Sequence, residues 1–139
     1  MHFESPAARS LESNTILVVD DDPDIRSLTR TFLEHEGYHV LTSGDVNRAA
    51  RIFRSAPQID LLITDYSMPH RTGMDLAHEL KSIRPSLPVL IISGIFISPD
   101  QLAQMTAEGW SFLAKPFSLP RLLSAVHDIL QPTPIQSVE

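Results

Sequence analysis

Four stretches near strand length are apolar without alternation: Ile16-Leu17-Val18-Val19, Leu61-Leu62-Ile63, Val89-Leu90-Ile91-Ile92 and the mixed Trp110-Ser111-Phe112-Leu113-Ala114. A strand wetted on one face alternates apolar and polar residues, whereas a strand covered on both faces does not, and double cover is the habit of parallel sheets. A fifth run, Tyr38-His39-Val40-Leu41, is shorter and more polar and is expected near a sheet edge. Between the runs the period changes. Ile25, Leu28, Phe32 and Leu33, then Val46, Ala49, Ala50 and Phe53, mark amphipathic helices, as do Leu76, Ala77, Leu80 and Ile83. Leu119, Leu122, Leu123, Val126, Ile129 and Leu130 form the strongest stripe, and Leu102 with Met105 only a weak one. Asp22-Pro23 and Ser98-Pro99 read as helix caps with a first-turn proline, and Gly37 and Gly109 stand where helices should stop. Five strand–helix units in alternation predict an α/β fold: a doubly wound parallel sheet with right-handed crossovers and helices on both faces.

The chain has 139 residues, which suits one domain, here placed at 14–131 between loose tails at 1–13 and 132–139, and leaves no room for an output domain. It has no cysteine, which excludes a disulfide scaffold, a cysteine zinc site and a thiol nucleophile. A net charge of −6 repels a phosphate backbone, so no nucleic-acid partner is expected. The most apolar stretch, Val89 to Ile97, is broken by Ser93 and Gly94 and falls short of the ~20 residues that span a bilayer. No membrane partner is expected, and the cytoplasm is the default location.

In an open α/β sheet ligands bind beyond the carboxyl ends of the strands. There the chain carries Asp20, Asp21 and Asp22, then Asp65, Ser93 and Lys115. Carboxylates gathered without a cation would raise one another's pKa values, so such a cluster calls for a counter-cation, and hard oxygen ligands favour Mg²⁺. Asp65 flanked by acids, a hydroxyl and a lysine is suited to accept a phosphoryl group. Asp22, followed by Pro23, reads as a cap rather than a ligand. His70 is expected in solvent, the other five histidines lack metal spacing, and Arg48, Arg51 and Arg54 form the wet face of the second helix. Ile95-Phe96-Ile97 should pack beneath the fourth helix, the alternative being a partner-docking patch.

The series Val18-Val19-Asp20-Asp21-Asp22-Pro23, Thr64-Asp65-Tyr66-Ser67-Met68-Pro69, Ile91-Ile92-Ser93-Gly94 and Lys115-Pro116-Phe117 resembles the receiver domain of bacterial two-component response regulators over residues 14–131. The resemblance implies a flavodoxin-like strand order, 2-1-3-4-5, with strands one and three adjacent. It makes Asp65 the phosphoacceptor, charged by a phosphohistidine on a sensor histidine kinase or histidine phosphotransfer protein. It gives Mg²⁺ to Asp20, Asp21, Asp65 and the backbone carbonyl of Ser67, and the phosphoryl oxygens to Lys115 and Ser93. The Lys115-Pro116 peptide is expected to be cis. Ser93 and Phe112 become the switch pair, remodelling the face of the fourth helix, fifth strand and fifth helix, through which a downstream protein target or a second copy would bind.

Phe112 lacks the hydroxyl that many relatives carry there as tyrosine, so only the packing half of that switch is available. The resemblance gives Ser67 and Ile95 the positions that in relatives tune water attack on the acyl phosphate. The stretch Lys81 to Val89 resembles receivers at the tail of hybrid sensor kinases, so the module is either free-standing or derived from one. Two other readings stand beside this one. One is a pseudo-receiver that binds partners without phosphorylation. The other is a haloacid-dehalogenase-type phosphatase, which wants a second acid two residues after the nucleophile, where Ser67 stands. As a receiver the chain would phosphorylate and dephosphorylate itself without turning over an independent substrate.

Overall fold

The computed structural model describes residues 14–56, 58–95 and 97–131. The predicted tails and Phe96 lie outside them. Ten elements alternate: β1 (Thr15–Val19), α1 (Pro23–His35), β2 (His39–Ser43), α2 (Val46–Ser55), β3 (Leu61–Asp65), α3 (Gly73–Ile83), β4 (Val89–Ser93), α4 (Pro99–Ala107), β5 (Ser111–Ala114) and α5 (Leu119–Leu130). All strand pairings are parallel, in the order β2-β1-β3-β4-β5. The weakest run, β2, is an edge strand as expected.

The sheet separates two apolar layers. Leu17, Val19, Leu62, Val89 and Ile91 point toward α2, α3 and α4, while Ile16, Val18, Leu61, Ile63, Leu90 and Ile92 point toward α1 and α5. The unalternating strands thus feed both layers from successive residues. Each helix starts on a side-chain cap: Asp22, Asp45, Thr72, Ser98 and Ser118 accept backbone N–H groups at the starts of α1 to α5 in turn. Gly37 and Gly109 follow α1 and α4 with φ of 101° and 80°, backbone that a side chain disfavours.

Three stripe positions differ from the expected core. Leu28 is 53% exposed, and Ile83 and Leu102 are also exposed. On α1 the sheet covers the arc through Thr29 and Leu33 instead, because the packed face is narrower than the apolar stripe. Trp110, expected inside the last strand, precedes it: β5 begins at Ser111, and the buried indole closes the end of the layer holding α3 and α4. Of the apolar loop after β4, Ile97 packs against the core whereas Ile95 is 54% exposed, so internal packing accounts for only part of it.

Candidate functional site

The register brings the chemistry together. Val19 pairs with Thr64, Asp65 with Ile92 and Ser93 with Ala114, so β1, β3, β4 and β5 finish at one level and their next residues share one rim. Asp20 is buried behind β1, its N–H donating to Ser43 O at 3.1 Å and its Oδ1 accepting from Asp22 N–H at 2.9 Å. Asp22 is spent on the α1 cap, through bonds from Asp24 N–H and Ile25 N–H, as its sequence context predicts. Asp21 stands exposed beside it.

Asp65 ends β3 and is 8% exposed. Lys115 Nζ lies 3.2 Å from Asp65 Oδ2 and 3.6 Å from Asp20 Oδ2. One carboxylate oxygen from each of Asp20, Asp21 and Asp65 falls within 4.8 Å of the others. Burial pushes the Asp65 carboxyl above its ordinary pKa; Lys115 pulls it down, Asp20 pushes it further up, and a hydrogen bond from Ser67 N–H lowers it. For Lys115, burial works against the ammonium, yet Asp20 and Asp65 outweigh it and the pKa is raised. Three carboxylates therefore face one ammonium.

Ser93 is buried at the end of β4, and its Oγ accepts from Ile95 N–H at 3.1 Å. Lys115 N–H donates to Ser93 O at 2.8 Å, tying the two loops, and the Lys115-Pro116 peptide is cis. Phe112 is partly buried against the α2–α3–α4 layer. Ser67 and Ile95 are exposed on the loops at the rim.

Sequence reasoning missed two supports. Arg26 Nη1 donates to Asp20 O at 2.7 Å, and a Cβ on Gly44 would lie 2.5 Å from that same nitrogen. Gly73 packs so tightly on the acceptor strand that a Cβ there would collide with Asp65 O. Arg26 lies one helical turn after the Asp22 cap, a spacing that could have pointed to it; nothing local marks Gly73.

Residues 16–127 match the family model of the response regulator receiver domain. The chain belongs to that family. A probable transcriptional regulatory protein of Mycobacterium tuberculosis, TcrX, is 33% identical over 126 residues, which cover 90% of this chain and 53% of that protein. This receiver thus spans about half the length of that curated relative, and about a quarter of several others. Among solved structures, a receiver domain protein of Clostridium thermocellum superposes with a TM-score of 0.77 at 32% identity, covering 84% of this chain and 94% of the other. The response regulator TrrA of Thermotoga maritima, solved with Mg²⁺ and BeF, gives 0.74 at 29% identity, covering 84% and 99%. The flavodoxin-like expectation holds, and the receiver is a signalling domain rather than a metabolic enzyme. No helix among the described residues is long and apolar enough to cross a membrane.

Proposed function

We propose that this receiver takes a phosphoryl group on Asp65 from a phosphohistidine of a sensor kinase or phosphotransfer protein. The observation that carries the reading is the Asp65 carboxylate held 3.2 Å from the Lys115 ammonium and within bridging reach of Asp20 and Asp21. An Asp65 oxygen forms the new O–P bond as the P–N bond of the donor breaks, and the leaving imidazole keeps the electron pair and takes up a proton. Lys115 neutralises charge on the transferring oxygens. The Ser93 hydroxyl turns its proton from Ile95 O, 3.5 Å away, to donate to one of them.

The donor set fits Mg²⁺: all oxygen, three carboxylates, one cation, and an acceptor whose pKa is pushed up by burial and a neighbouring acid. Asp20, Asp21, Asp65 and the Ser67 carbonyl would hold the ion, which supplies neutralisation of charge on the phosphoryl oxygens. Hydrolysis of the acyl phosphate is the domain's own reaction, tuned by Ser67 and Ile95, and no second acid stands at Ser67 to support turnover of outside esters. The rearranged Ser93 and Phe112 then alter the α4–β5–α5 face for a protein partner or a second copy. The excess of negative charge favours protein over nucleic-acid partners for this receiver, and its place is the cytoplasm.

Incubation with beryllium fluoride and Mg²⁺, followed by NMR, tests this. Amide shifts at residues 20–22, 65–67, 93–95 and 115 are expected in the native chain and are absent in Asp65→Asn. A silent spectrum would favour the pseudo-receiver, and turnover of external phosphate esters the phosphatase.

A further inference from the structure

The residue after the acceptor reaches α4. Gln101 Nε2 donates to Tyr66 Oη at 3.0 Å. Gln101 is also the third residue of α4 and closes its capping box: Gln101 Oε1 accepts from Ser98 N–H at 3.1 Å, and Gln101 N–H donates to Ser98 Oγ at 3.2 Å. Both ends of one amide are therefore used, one to cap α4 and one to tie that cap to Tyr66. The Tyr66 backbone has little freedom of its own, since its N–H donates to Ile92 O at 2.7 Å and its carbonyl accepts from Gly73 N–H at 2.8 Å. The phenol is thus an arm on a fixed pivot one residue from Asp65. Its ring packs against the α2–α3–α4 layer, as do Ile97 and Phe112.

Helix α4 is thinly anchored, with Met105 its one buried residue, so a single polar tether is a large share of what fixes its amino end. Phe112 offers no hydroxyl to provide one. Ser93 meanwhile holds Ile95 N–H, three residues before the Ser98 cap. Two links thus run from the acceptor rim to the start of α4, one through Ser93 and Ile95, the other through Tyr66 and Gln101.

We propose that Tyr66 is a positioning residue whose hydroxyl, bonded to Gln101, carries occupancy of Asp65 to the amino end of α4, the polar role that Phe112 cannot fill. The inference rests on the phosphoacceptor reading above. It requires a two-state element: the phenol bonded to the cap, or released from it, with the charge on Asp65 biasing the choice.

Amide hydrogen exchange read by NMR on the full chain, with and without beryllium fluoride and Mg²⁺, tests it. Without the ligand, Tyr66→Phe should speed exchange at residues 101–105 roughly fivefold, the equilibrium equivalent of one net hydrogen bond. With it, the response of those amides should fall to less than half that of the native chain, while the shifts at residues 20–22 and 115 persist. Gln101→Glu keeps the bond from Ser98 N–H on one oxygen and, with the direction reversed, accepts from the phenol on the other, and should keep the response. Exchange in Tyr66→Phe that matches the native chain in both states overturns the proposal and leaves the acceptor reading intact. A native chain that responds nowhere to the ligand overturns the acceptor reading, and the transmission falls with it.

Discussion

The two ends of the sheet treat charge in opposite ways. At the carboxyl end, three carboxylates crowd one ammonium, and the Asp65 carboxyl is held above its ordinary range. At the amino end, Lys81 on the last turn of α3 donates to Glu108 Oε1 and to Glu108 O, both at 2.9 Å, and so satisfies the carboxyl end of α4. The same ammonium lies 5.6 Å from the Trp110 ring centre, and His78 meets that ring edge-on at 4.9 Å. One end is balanced and packed; the other is left short of positive charge. Stability should therefore reside in the balanced end and ligand response in the other, a division that substitutions can break.

The largest expected effect is at the packed end. Trp110→Ala empties a buried aromatic site between α3 and α4 and should cost about 3–5 kcal/mol in urea unfolding, with the beryllium fluoride response of the surviving fold unchanged. Loss of that response in folded protein would show that the two ends are coupled. Gly73→Ala comes next. Its Cβ must displace the Asp65 carbonyl, so it should cost about 1–3 kcal/mol and also disturb the acceptor.

Asp65→Asn should do the reverse. Burial penalises the ionised Asp65 carboxylate and Asp20 adds to that penalty against the pull of Lys115, so in magnesium-free buffer the neutral variant should unfold at higher urea, by roughly 1 kcal/mol. The sign follows from linkage. A carboxyl whose folded pKa is raised favours the folded state while protonated and loses that advantage as pH rises through the folded value. The gain from Asp65→Asn is thus present at neutral pH and disappears on acidification. A loss of stability instead would mean that Lys115 more than balances the pocket.

How much of this was legible depended on the range of the interaction. Strand ends and their acids are local, so Asp20, Asp21, Asp65, Ser93 and Lys115 stood out, as did the caps at Asp22 and Ser98. Periodicity marks which arc of a helix is apolar but not how much of it a partner covers, which is why Leu28, Ile83 and Leu102 were misplaced. Arg26 serves a carbonyl six residues away, close enough for its spacing from the cap to have pointed to it; Gly73 is required by the packing of its loop on β3, which nothing local marks; and the Tyr66–Gln101 bond joins residues 35 apart that only the crossovers bring together.

The smallest effect sharpens the contrast, because Glu79 on α3 is a carboxylate of the balanced kind. It accepts from Arg54 at 2.7 Å and pairs with Arg71 at 2.8 Å, and these bonds, Arg54's foremost, hold its pKa below the ordinary value of 4.5 despite some burial. A depressed folded pKa contributes stability that is fully present above the unfolded value and is lost as pH falls through the folded one. Glu79→Gln should therefore cost stability at pH 7, but less than about 1 kcal/mol, because Arg54 is half exposed and solvent screens the pair. The gap to the native chain should hold down to about pH 4.5, close below it, and shrink in high salt. Asp65→Asn and Glu79→Gln thus have opposite signs at neutral pH and converge on the native chain in acid. A Glu79→Gln variant that is the more stable at pH 7 would place unbalanced charge beyond the acceptor rim and end the distinction between the two ends.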